Sequence, residues 1–116
     1  MLKPGELLTF IETSVFTRRL QALGLEESLF GLQAQLLANP EAGNVEPGTG
    51  GLRKVRLPDP SRGKGKRGGA RVHYLHLARK GRIYLLFVYS KNESTTLTPD
   101  QTRQLREVAR KIRNEP

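Results

Sequence analysis

The chain has 116 residues, enough for one domain with its own core and too few for two, so residues 1–116 are read as a single unit. It contains no cysteine, which excludes a disulfide framework and a thiolate metal site, and no apolar run reaches the length of a membrane span. The formal charge is +9 and lopsided: residues 1–46 carry a net −3, residues 47–92 a net +11 with Asp59 as the one acid, and residues 93–116 a net +1.

Residues 6–12 (ELLTFIE) are a short apolar run and read as an edge strand. Thr13 or Ser14 caps the helix that follows, in which Phe16, Leu20 and Leu23 recur at helical spacing and which Gly24 ends. A second helix aligns Leu25, Leu29, Leu32 and Leu36 on one stripe and stops at Asn39-Pro40. Residues 39–51 read as loop, closing on Gly48, Gly50 and Gly51. Residues 52–57 alternate as a strand does, with Leu52, Lys54 and Arg56 on one face and Arg53, Val55 and Leu57 on the other. Residues 58–69 (PDPSRGKGKRGG) cannot pack a core and read as a mobile basic loop.

Residues 71–77 and 82–90 form the arms of a hairpin through Arg79-Lys80-Gly81. The second arm, apolar on both faces, is expected to be a central strand. Thr98-Pro99-Asp100-Gln101 spells a helix capping box, and Leu105, Val108, Ala109 and Ile112 follow on one stripe, with Glu107 placed to pair with Lys111. The order predicts an α+β domain: an antiparallel sheet of about four strands, with two N-terminal helices and one C-terminal helix covering one side.

The two histidines, His73 and His76, are three apart on a strand and so face opposite ways; they cannot share a metal or a proton, and each reads as a sheet-surface residue. Residues 63–68 spell GxGxxG, but between two strands, with no helix N-terminus to receive a pyrophosphate. What remains is a set of cations on rigid elements. Lys54 and Arg56 share a strand face, Arg71 opens the next strand, and Lys91 ends the central one, followed by Asn92 and Glu93. With neighbouring strands about 4.8 Å apart, a sheet can gather Lys54, Arg56, Arg71 and Lys91 into one phosphate-binding patch. Charge kept for solubility alone would be spread, so its concentration in the middle third points to a polyanion. Metal-free RNA cleavage further needs a base for the 2′-hydroxyl, positive charge for the phosphorane and an acid for the leaving oxygen. Arginine supplies the second, and a lysine crowded by cations, or Glu93, the first. From these residues alone, a basic RNA- or DNA-binding module without catalysis is the more economical reading.

A resemblance adds to this. FIET (10–13), NPEAGNVEPGTGGLRKVRL (39–57), GKGKRGGARVHYL (63–75), YLLFVYSKNE (84–93) and LT-DQ (97–101) occur in order through nearly the whole chain. Together they resemble the RelE/ParE superfamily of toxins, and within it the HigB group. The resemblance implies a RelE-like α+β fold and ribosome-dependent cleavage of mRNA in the decoding site, without metal or cofactor. It implies a cytoplasmic toxin paired with a cognate antitoxin, commonly a helix-turn-helix protein through which alone operator DNA is reached; ribosome and mRNA are the other partners, and no membrane. By position, Lys54 and Arg56 match the family's basic strand, Arg71 the arginine expected to stabilise the phosphorane, and Lys91 the lysine of the strand-end motif. Arg53, Lys64, Lys66, Arg67, Asn92 and Glu93 are the expected RNA contacts around them. Some relatives carry arginine where this chain has Asn92, and it lacks their C-terminal stacking tyrosine. ParE-type relatives share the fold and poison DNA gyrase instead, so gyrase poisoning is the alternative activity.

Overall fold

A computed structural model describes residues 8–57, 69–91, 93–94 and 96–116; the stretch read as a basic loop lies outside them apart from Gly69, as does the start of the run read as the first strand. Five strands form one sheet: β1 (Thr9–Glu12), β2 (Asn44–Val45), β3 (Arg53–Leu57), β4 (Ala70–Leu77) and β5 (Arg82–Ser90), in the order β1-β5-β4-β3-β2. All pairings are antiparallel except that of β1 with β5. The strand beyond the expected four is β2, two residues within the presumed loop, paired with Lys54 and Arg53. β1 lies at the edge, and β5 is paired on both sides along its first half, as its apolar faces require.

Helix α1 (Ser14–Leu23) starts at Thr13, whose Oγ1 accepts the Phe16 N–H at 3.2 Å and also donates to the carbonyls of Leu85 and Leu86 at 3.3 and 3.2 Å. The cap thus fastens the helix to the sheet. At its other end Gly24 takes φ +69°, its N–H reaching Gln21 O while the Leu25 N–H reaches Leu20 O, a Schellman motif. Leu25 is therefore buried as the residue after that cap rather than as part of the second helix; a 3₁₀ turn (Glu26–Ser28) intervenes and α2 runs Leu29–Ala38. Helix α3 (Pro99–Arg113) begins with the expected capping box: Thr98 Oγ1 accepts from Gln101 N–H at 3.1 Å, and Gln101 Oε1 accepts from Thr98 N–H at 2.9 Å. Glu107 pairs with Arg110, whose Nε donates at 3.0 Å, instead of with Lys111, because a guanidinium fork meets both carboxylate oxygens.

The helices lie on both sides of the sheet, not one. Phe16 and Leu20 of α1 and Leu32 and Leu36 of α2 pack with Val55, Val72, Tyr74, Ile83, Leu85 and Val88. Leu105, Ala109 and Ile112 of α3 pack with Leu75, Leu77, Tyr84 and Leu86 on the opposite face. Both faces of β4 and β5 are apolar, so a cover on one side alone would leave a core row in water. A bulge in β5 adjusts the second face: opposite His73 stands Phe87, opposite Tyr74 stands Leu85, and the extra Leu86 joins Phe87 on the α3 side. No helix among the described residues is long and apolar enough to cross a membrane.

Candidate phosphate-binding face

Helix α3 packs on the face that carries Leu75, Leu77, Tyr84 and Leu86. Toward the Ala70 and Ser90 ends of β4 and β5 the same face bears a block set by register. Lys54 stands opposite His73 and His73 opposite Phe87; Arg56 stands opposite Arg71 and Arg71 opposite Tyr89. At the spacing of paired strands these six residues span about 10 Å. The Lys91 N–H donates to Gly69 O at 3.2 Å, just beyond the Ala70–Ser90 pair, and the chain turns away from there. Lys54, Arg56 and Arg71 thus belong to one face, and Lys91 stands just past the end of β5 that borders it. Arginines directly opposite one another destabilise a sheet, so an array with Arg56 facing Arg71 is suited to an anion rather than to stability.

One acid meets the array among the described residues. A Glu46 carboxylate oxygen lies 3.2 Å from Lys54 Nζ and 3.8 Å from His73 Nε2. The turn after β2 puts it there. The Glu46 N–H donates to Leu52 O at 2.8 Å, and the fully buried Thr49 donates its hydroxyl to Glu46 O at 2.7 Å while accepting the Leu52 N–H at 3.1 Å. Gly51 makes room where the turn meets α3: at φ +98°, any Cβ there would stand 2.6 Å from Arg113 Nη2. Arg106 and Arg113 of α3 donate to the Gly48 and Gly50 carbonyls and hold the turn from outside. Neither Glu46 nor Thr49 stands out in the sequence; the readable signal is an acid ahead of a Thr-Gly-Gly turn that leads into a basic strand.

His73 is completely buried, which corrects its reading as a surface residue, though it and His76 do face opposite ways as the spacing requires. Among the described residues neither of its ring nitrogens has a hydrogen-bond partner. Burial pushes its pKa down to about 4, with Lys54 adding to the effect and Glu46 opposing it, so the imidazole is neutral near pH 7. Its ring stacks on Tyr89 with centroids 5.8 Å apart. Tyr89 is buried too, and burial raises its pKa against the pull of Arg71. His76 lies on the other face, its Nδ1 3.5 Å from Glu41.

The remaining expected residues divide plainly. Arg53 points to the opposite face, where it donates to Gly43 O at 3.1 Å and approaches Glu41 at 3.7 Å. Glu93 accepts the Ser90 N–H at 2.8 Å and pairs with Arg19 at 2.8 Å; these bonds, the Ser90 one foremost, hold its carboxyl below the usual range. It anchors the end of β5 and makes a poor proton acceptor. Arg19, which the sequence does not single out, also donates to Val88 O and lies 4.8 Å from the Phe87 ring centroid. Lys64, Lys66, Arg67 and Asn92 lie outside the described residues. Beside the array opens a hollow of about 150 Å³ lined by Val15, Phe87, Leu105 and Val108 with Gln101 and Gln104, too apolar to hold a phosphate.

Chemically, the face offers two arginines at directly paired positions for the non-bridging oxygens of a phosphodiester, and a carboxylate held between a lysine and a neutral imidazole. No protein-family model matches the chain.

Proposed function

We propose that this chain is a RelE-like toxin of the HigB kind, cutting mRNA on the ribosome without a metal or cofactor and restrained by a cognate antitoxin. The observation that carries the reading is the pairing of Arg56 with Arg71 on the face that also holds Lys54, with Lys91 just past the end of β5. In this reading Arg71 and Arg56 grip the scissile phosphate and stabilise the phosphorane that forms when the 2′-oxygen attacks phosphorus. The 2′-hydroxyl gives its proton to the Glu46 carboxylate, which its ion pair with Lys54 holds beside the array, and the exposed Lys91 ammonium gives one to the leaving 5′-oxygen. The resemblance in five ordered blocks and the +11 of residues 47–92 support the same conclusion.

The test is induction of the chain in bacterial cells followed by primer extension on several transcripts. New 5′ ends in phase with codons, absent from untranslated RNA, are the expected result. Intact transcripts with an SOS response would instead mark a gyrase poison and refute the proposal, as would growth arrest without either sign.

A further inference from the structure

Helix α2 has a second apolar side that the sheet does not use. Of its ten residues, LFGLQAQLLA, only Leu32 and Leu36 are buried. Phe30 is 81% exposed and Leu37 53%, and with the exposed Ala34 and Ala38 they form a stripe at i, i+4, i+7 and i+8. Although 27% of the chain is charged, no charged residue occurs between Glu27 and Glu41. A helix with no charge, buried along one stripe and apolar along a second that faces water, leaves a surface suited to association.

Charge decides among occupants. Glu26 and Glu27 are exposed on the turn that leads into α2, and Glu41 is exposed just beyond its end. Nucleic acid is disfavoured, since the stripe offers no cation and its ends are acidic. A second copy of this chain is disfavoured in either orientation: parallel α2 helices would set Glu26 and Glu27 against their equivalents, and antiparallel ones would set them against Glu41. Arg53, 3.7 Å from Glu41, offsets part of its charge, so Glu26 and Glu27 do most of the selecting. We propose that the outer stripe of α2 docks an amphipathic helix from another protein, its apolar seam flanked by lysine and arginine. This holds whether or not the cationic face cuts RNA.

The test uses the full chain as bait for a displayed library of amphipathic helices with constant apolar positions and random flanking residues. Enriched helices are expected to carry basic flanks and to lose about tenfold or more in affinity for Phe30→Glu and Leu37→Glu. Circular dichroism is expected to be unchanged in both variants, because neither side chain is in the core. Glu26→Lys combined with Glu27→Lys should switch the enriched flanks to acidic. Four results would overturn the proposal: no enrichment over the Phe30→Glu bait, acidic flanks with the unmodified chain, flanks indifferent to the Glu26/Glu27 reversal, or a dimer of the chain that Phe30→Glu dissociates.

Discussion

The same three strands build a fully sheltered row and a charged one. Val55, Val72 and Val88 lie opposite one another toward α1 and α2, all buried. One residue away on each strand, Arg56, Arg71 and Tyr89 lie opposite one another on the other face. The valine row holds the strands in register, and that register spaces the arginines. A slip of one residue would exchange the two rows, so the packing of one face specifies the geometry of the other. Stability and the anion binding proposed for the cationic face are therefore separable by face, and substitutions on each should affect different measurements.

If the proposed cleavage holds, the largest effect is expected from Arg71→Ala, which should lower it about 10²–10³-fold, the usual loss when one preorganised donor to a transition-state oxyanion is removed. Its melting temperature should hold or rise slightly, since the repulsion from Arg56 goes with it. Quantified primer extension and a thermal melt check the two halves; a variant that cleaves normally would break the division of labour. Next comes Leu85→Ala, on the sheltered face, expected to cost about 3 kcal/mol of stability through the cavity it leaves. Denaturant midpoints measure it, and a shift under about 1 kcal/mol would mean that this face matters less than its burial indicates.

A pH titration sharpens the contrast where the faces meet. His73 titrates near 4 in the fold against an ordinary 6.5, so between these values the unfolded chain binds the proton that the folded one refuses. Stability from this source is whole above 6.5 and is lost as pH falls toward 4, by up to about 3 kcal/mol. His73→Gln should flatten unfolding free energy across that window, leaving the decline below 4.5 to carboxylates held low in the fold, Glu93 among them. An unchanged slope in the variant would remove the imidazole from the account. The smallest effect belongs to Thr98→Ala, remote from both rows, expected to cost about 1 kcal/mol through loss of the α3 cap, readable in the thermal melt with cleavage unaltered.

The parts of this protein legible in advance are those whose causes lie within a few residues. Thr98 caps α3 because the N–H it accepts is three residues on, and Gly24 ends α1 because that position requires positive φ. Lys54 and Arg56 share a face because strand side chains alternate. Leu25 reads as helical for an equally local reason: a Schellman cap and a continuing helix offer leucine the same stripe, and only the backbone bonds tell them apart. The candidate site was half visible. Its cations announce themselves by composition, while Glu46 and the burial of His73 arise from a turn closed by Thr49 and clasped by α3 arginines far along the chain.

Sequence alone determined the helix boundaries set by caps, the faces of the basic strand, and the concentration of charge in the middle third, all products of local geometry or simple counting. Tertiary structure alone decided that β1 runs parallel to β5, that α3 takes the face opposite α1 and α2, and that Arg56 meets Arg71 while Glu46 reaches Lys54. These depend on which apolar surfaces must be buried together. Burial is a property of the whole chain, and no short window of residues contains it.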